Sequence, residues 1–251
     1  MQVSRLALRD FRNFRAIDLD PPPGICVFWG DNAQGKTNLL ESIYLLSTLK
    51  SFRGAKNRDL VRKGASQATI RGRLTSKDLP RDCVLQIDSS GKKPRLDGKS
   101  PRGLTQYFDV IKAVSFVPSD LRLVDGLPQG RRDFLDRATF TLQSEYLGEV
   151  RTYRAALAQK NALLRDARAS GRPPDPGLLA TWEEPLIAAG ARLIQRRTDF
   201  LKQFAPVFRE VHEGITGAAK GHAAFRYKGC IGPESLAGGF DAIAEGLRTK
   251  M

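Results

Sequence analysis

Residues Gly30-Asp31-Asn32-Ala33-Gln34-Gly35-Lys36-Thr37 spell G-x-x-x-x-G-K-T, a spacing suited to holding a chain of phosphates. Such a chain presents several negative charges on closely packed oxygens. Gly30 and Gly35 let the backbone wrap these oxygens with φ values that other residues avoid. The loop N–H groups then form an anion-binding nest, to which the N-terminus of a following helix adds its positive end. Lys36 supplies a point charge for the β- and γ-phosphates, and the Thr37 hydroxyl a ligand for Mg²⁺. The expected ligand set is a nucleoside triphosphate with Mg²⁺, held by Gly30, Asp31, Asn32, Ala33, Gln34, Gly35, Lys36 and Thr37.

Such a loop works only between a strand and a helix. Ile25-Cys26-Val27-Phe28-Trp29 is a continuous apolar run, which predicts a strand buried on both faces. Residues 37–47 carry apolar side chains at 39, 40, 43 and 46, which is helical spacing. Upstream, residues 2–9 and 16–20 read as strands around a turn at Arg12-Asn13, closed by Pro21-Pro22-Pro23-Gly24. Downstream, 68–75 and 82–88 alternate as strands. Ser89-Ser90-Gly91 is a turn signal that returns 94–96 as a hairpin arm. A short helix near 101–108 leads to an apolar strand at 110–117, ended by Pro118. Beyond that the pattern turns helical, over 133–141, 144–168 and a further segment running to about Gly214. In the last, Leu186, Gly190, Leu193, Arg197, Phe200, Phe204, Phe208 and Val211 lie near one face. Pro185 and Pro206 are expected to start, kink or interrupt it. The division is an α/β segment over 1–118, a helical segment over 119–215, and a short α/β return over 216–251.

Charge gives the second signal. Forty-one Lys and Arg oppose 27 acidic residues, for a net charge of +14, an excess that suits a polyanionic partner, nucleic acid first. Three clusters concentrate it. Lys50, Arg53, Lys56, Arg58, Arg62 and Lys63 face only Asp59. Lys92, Lys93, Arg95, Lys99 and Arg102 surround Asp97. Arg192, Arg196, Arg197, Lys202 and Arg209 mark a helix. Arg53, Lys56, Arg58, Arg62 and Lys63 are the first choice for DNA contact, because they follow the P-loop helix directly; the helical cluster is the second. Cys26, Cys83 and Cys230 are far apart, which fits a reducing compartment and argues against a zinc site or disulfide framework. His212 and His222 are the only histidines and read as surface residues rather than ligands. No apolar run reaches membrane-span length and no signal-type apolar segment opens the chain, so a cytoplasmic protein without membrane attachment is expected.

Several stretches narrow the class. Leu8-Arg9-Asp10-Phe11-Arg12-Asn13-Phe14 resembles the opening of chromosome-maintenance and recombination ATPases. The P-loop helix through Leu46 resembles that of the RecF family. So do Lys50-Ser51-Phe52-Arg53, Phe116-Val117-Pro118-Ser119-Asp120-Leu121, Arg131-Arg132-Asp133-Phe134-Leu135-Asp136 and the stretch from Tyr153 to Arg165. The likeness runs in register over about residues 2–210. It implies an α/β P-loop NTPase of ABC/SMC-like ATPase-head type with a helical second lobe. It also implies ATP-dependent binding of single- and double-stranded DNA at gaps and weak ATP hydrolysis. Further implications are an ATP-dependent homodimer, work with RecO and RecR to load RecA, and a part in the SOS response. Arg12 and Asn13 approach the nucleotide by the same analogy, or simply make the strand-connecting turn.

The sequence departs from that family in one respect. No run of four apolar residues followed by an acidic pair, the Walker B pattern, occurs after Pro118. Leu236-Ala237-Gly238-Gly239-Phe240 looks like an ABC signature but stands too near the end to serve as one. The expectation is a chain truncated before the signature and Walker B motifs, with negligible ATP turnover. Two other classes stay open: a P-loop small-molecule kinase, and a non-catalytic remnant that holds DNA or nucleotide.

Overall fold

A computed structural model describes residues 1–217 and 223–251; His222 lies outside the described residues. The chain divides into two compact units, Met1–Asp125 and Gly126–Met251.

The first unit is built on five antiparallel strands: β1 (Gln2–Phe11), β2 (Phe14–Leu19), β3 (Gln67–Ser76), β4 (Leu79–Asp88) and β5 (Gly91–Leu96). Their order is β2-β1-β3-β4-β5. Alternation makes the sheet two-faced. Leu6, Leu8, Ala68, Ile70, Leu74, Cys83, Leu85 and Ile87 form the buried side. Helix α1 (Lys36–Thr48) crosses that side at Gly72, where an added Cβ would lie 2.9 Å from Leu46 Cδ1. Burial pushes the Cys83 thiol pKa up to about 12. The short helices α2 (Asn57–Leu60) and α3 (Leu104–Phe108) complete the unit.

The predicted hairpins and the P-loop helix are present, but two predicted strands are not. Residues 25–29 have no regular secondary structure, and Ile25, Val27 and Trp29 are 92%, 74% and 90% exposed. Residues 111–117 are likewise irregular; Val110 and Ile111 are buried, while Val114 and Phe116 are exposed. An apolar run becomes a buried strand only where flanking strands accept its backbone hydrogen bonds. Among the described residues none of the sheet's five strands pairs with either run, so neither joins it.

The second unit is helical: α4 (Pro128–Leu142), α5 (Tyr146–Ser170), α6 (Pro176–Thr216), α7 (Pro233–Ala237) and α8 (Gly239–Arg248). The Asp175 carboxylate caps α6 by accepting from the Gly177 and Leu178 N–H groups. The helix then runs unbroken through Pro185 and Pro206. Each proline costs an interior hydrogen bond, and burial of Leu186, Ile187, Ala191, Leu193, Ile194 and Phe200 offsets that loss. Gly190 leaves room for Tyr153 of α5 and Leu247 of α8.

Among the described residues of 216–251, the regular elements after α6 are the helices α7 and α8. Ile231, Ile243 and Ala244 bury against Ile187, Ala191 and Ile194, so this segment packs with the helical unit. Leu236–Phe240 is the junction of α7 and α8, where Gly239 turns the chain with φ +77°. His212 is half-buried with its ring 5.7 Å from that of Phe208, a packed residue rather than a free surface one.

Candidate nucleotide site and its basic flank

The loop between residues 30 and 35 takes the backbone conformation its glycines permit. Gly30 has φ +136° and Gly35 φ +108°, and Ala33 also lies at positive φ. A side chain at Gly35 would lie 2.5 Å from Phe14 Cζ and 2.9 Å from Asn13 Nδ2, so the β1–β2 turn sits directly against the loop. Space beside Gly30 is open. Helix α1 begins at Lys36, and the Lys36 ammonium donates to the carbonyls of Gly30 (2.6 Å) and Asp31 (2.7 Å), spanning the loop mouth. Thr37 is exposed in the first turn. An exposed loop, a helix N-terminus and a lysine ammonium at one point form an anion cradle. The residues present fit a nucleotide phosphate chain, and Thr37 is the residue that would hold its Mg²⁺. Among the described residues no cluster of carboxylates, histidines or cysteines forms a metal site of its own.

Arg12 and Asn13 of the β1–β2 turn make different contacts. Arg12 has φ +54° and points at Glu41 of α1, a fully buried carboxylate. Its Nε and Nη2 donate to the two Glu41 oxygens at 2.9 and 2.8 Å, and its Nη1 donates to the Asp59 carbonyl at 2.8 Å. Ser51 Oγ donates to Glu41 as well. Arg12 is therefore the strut that ties turn, P-loop helix and α2 together. Asn13 belongs to the loop: its Nδ2 donates to the Gln34 carbonyl at 3.2 Å.

From Asn13 a line of hydrogen bonds leaves the loop. Asn38 Nδ2 donates to Asn13 Oδ1 at 2.8 Å, and Arg53 Nη1 donates to Asn38 Oδ1 at 3.0 Å. Sequence reasoning missed Asn38, Glu41 and Ser51. Only Glu41 left a signal, as an acidic residue inside the apolar run Leu39–Tyr44 of a helix.

The five predicted DNA-contact residues lie on this flank but are not equivalent. Arg53, Lys56, Arg58 and Lys63 are exposed. Arg58 stands 3.5 Å from Asp59, while Arg62 is half-buried on Asp10 at 2.7 Å. Arg62 is thus a clasp between the segment after α2 and the end of β1, a role reinforced by its N–H bond to the Asp10 carbonyl.

In the helical cluster named as the second choice, Arg196 and Arg197 are committed to ion pairs, while Arg192, Lys202 and Arg209 are exposed. Arg196 donates to Glu149 at 2.8 Å and to Gln143 at 2.7 Å. Arg197 donates to Asp136 at 2.6 Å and to the Tyr146 hydroxyl at 2.8 Å, and that hydroxyl donates to Asp136. Burial pushes the Tyr146 pKa up, which keeps its proton in place. Lys202 lies 3.4 Å from Asp199, and Arg192 stacks over the Phe240 ring at 5.7 Å.

Known proteins share this sequence and fold. The chain is 41% identical over 238 residues to the DNA replication and repair protein RecF of Anaeromyxobacter sp. (strain Fw109-5), covering 95% of this chain and 63% of that protein. It is 36% identical over 245 residues to RecF of Myxococcus xanthus (strain DK1622), covering 98% of this chain and 62% of the relative. The chain thus spans somewhat under two thirds of the length of these relatives. A solved structure of the recombination mediator protein RecF-ATPrS in the RecFOR pathway superposes with a TM-score of 0.89. It is 25% identical and matches 99% of this chain and 66% of that one. No family model matches. The α/β unit followed by a helical unit is therefore the fold of that RecF structure, and the chain is similar to RecF proteins over nearly its whole length.

Proposed function

We propose that this chain binds ATP at the P-loop and uses nucleotide occupancy to set a DNA-contacting basic flank, as part of recombinational DNA repair. The carrying observation is the continuous hydrogen-bond line from the Gln34 carbonyl through Asn13 and Asn38 to Arg53. Phosphates entering the nest compete for the loop's donors and for Lys36, so the loop backbone around Gln34 adjusts. Each amide along the line then offers Arg53 a different partner geometry. Arg53, Lys56, Arg58 and Lys63 meet DNA phosphates rather than bases, so binding carries little sequence preference. Magnesium held on the phosphates supplies charge neutralisation there.

Similarity to RecF proteins extends this reading. The chain acts in the cytoplasm at single-strand gaps, with RecO- and RecR-type mediators. It pairs with a second copy around ATP, supports RecA loading and the SOS response, and hydrolyses ATP weakly if at all. Residues 1–118 serve as the nucleotide lobe and 119–215 as the helical lobe. A small-molecule kinase gains nothing from the Asn13–Asn38–Arg53 line or the exposed basic flank.

Calorimetric titration with Mg-ATP tests the nucleotide site. Lys36→Ala removes one charge-assisted contact, worth about ten- to a hundredfold in affinity. The unfolding midpoint should not move, because the lysine bonds only to carbonyls of an exposed loop. Equal affinity for the two proteins would refute the site.

A further inference from the structure

The face of the sheet turned away from α1 is as ordered as the core face, and the pairing register lays it out in cross-strand rows. One row is Ala16, Arg9, Thr69, Gln86 and Lys93; the next is Asp18, Ala7, Arg71, Val84 and Arg95; the third is Arg5, Arg73 and Asp82. Directly opposed residues point the same way, so Arg5, Arg9, Arg71, Arg73, Lys93 and Arg95 share this surface. Arg5, Arg9, Arg71 and Arg73, with Asp18, surround a floor of small residues, Ala7 and Thr69, in a shallow concavity of about 370 Å³; Lys93 and Arg95 lie outside it on the same face.

The carboxylates on this face orient the arginines without cancelling them. Asp18 accepts from Arg9 at 2.6 Å and from Arg5 at 3.3 Å, so two cations share one anion. Arg71 and Asp82 form a two-pronged pair, and Lys93 meets Asp88. Arg73 and Arg95 are exposed and add two further cations. Six cations thus face three carboxylates. Side chains two apart on a strand repeat at about 6.8 Å and neighbouring strands at about 4.8 Å, which spreads the excess charge over a plane. A plane of guanidinium groups with a small-residue floor suits a ribbon of anionic oxygens, and it lacks the deep walls that would enclose a small ligand.

We propose that this sheet face is a second contact surface for the phosphodiester backbone of nucleic acid, separate from the 53–63 flank. The assignment rests on the DNA-binding reading above. Charge complementarity commits it to a phosphate backbone. An acidic polypeptide is the rival occupant: guanidinium forks meet carboxylate as well as phosphate, but its carboxylates hang on flexible side chains, whereas a phosphodiester backbone presents charge at regular spacing along a ribbon.

The test is fluorescence anisotropy of the full chain with a labelled random-sequence duplex, at salt concentrations from about 50 to 200 mM. Arg5→Ala/Arg73→Ala should bind at least about tenfold more weakly at the low end. Its salt slope should fall by about 1.8, at roughly 0.9 per lost phosphate contact. Asp18→Asn should do the opposite, binding several-fold more tightly with a steeper slope, because it frees one charge. That gain cannot come from misfolding and so carries the test if the arginine variant is unstable. If wild type binds duplex in a salt-dependent way but both variants match it, the sheet-face assignment is refuted while the DNA reading stands. If polyglutamate binding responds to the variants and duplex binding does not, the rival occupant replaces it. If wild type binds no DNA, the DNA reading itself fails and takes this assignment with it.

Discussion

In the helical unit, Arg196 and Arg197 reach across to carboxylates on α4 and α5 and are largely removed from solvent. In the sheet unit, Arg53, Lys56 and Lys63 stand exposed, and Arg5 and Arg9 share a single aspartate. Both regions looked equally basic in sequence. The difference lies in what each unit must hold together. A bundle built around one long helix has little sheet ladder to fix its register, and the Arg197–Asp136–Tyr146 group supplies a specific cross-link between α4, α5 and α6. The sheet unit already has its register from four strand pairings. Arg5, Arg9 and Arg71 stay about half exposed even where they pair, so a ligand can reach them. A high net charge is therefore a poor guide to where binding occurs until the carboxylates have been placed.

The sharpest way to break this contrast is to remove a partner in the helical unit. Asp136→Ala leaves the Arg197 guanidinium buried and unpaired, a change that costs about 3–5 kcal/mol. Urea unfolding followed by Trp182, half-buried on α6, should show the midpoint fall, with duplex affinity at low denaturant unchanged. A stable variant with weakened DNA binding would reverse the assignment of roles.

Arg12 is the exception within the sheet unit, and it sharpens the rule. It pairs with a fully buried glutamate, so Arg12→Ala should destabilise by about 3 kcal/mol, near the lower end of the same range. Arg12→Lys should recover only part of that, since an ammonium cannot satisfy both Glu41 oxygens and the Asp59 carbonyl in one plane. Full recovery by lysine would mean that simple charge, not the fork, holds the turn.

These pairings mark the limit of what the sequence could tell. The hairpins were legible because alternation over several residues has one physical reading. The P-loop was legible because its glycines and lysine serve one chemistry. Arg196 and Arg197 were misread because their partners lie 47 and 61 residues away, and nothing local marks a charge as already paired. The runs at 25–29 and 110–117 were misread for the converse reason. An apolar run states that burial is favourable but does not name the strands that would provide it. Glu41 was passed over because a single acid on a helix is usually solvent-facing.

Weaker in stability but large in function is the triple variant Arg53→Ala/Lys56→Ala/Arg58→Ala. All three side chains are exposed, so the unfolding midpoint should stay within about 0.5 kcal/mol of wild type. Duplex affinity should fall and lose its response to added ATP. Retention of the ATP response would show that the Asn13–Asn38 line does not carry the signal to this flank.

The smallest expected effect tests whether an exposed arginine of the helical cluster is also committed to folding. Arg192 is exposed, yet its guanidinium lies over the Phe240 ring at 5.7 Å, linking α6 to α8. An exposed cation–π contact of this kind contributes about 0.5–1 kcal/mol. Arg192→Ala should lower stability by that amount and leave DNA affinity and its salt slope unchanged. Arg192→Lys should retain part of the stability, because an ammonium also sits well over a ring. A fall in the salt slope by about one, with stability intact, would instead identify a phosphate contact. That outcome would place one DNA-facing residue on the helical unit and blur the division between the two.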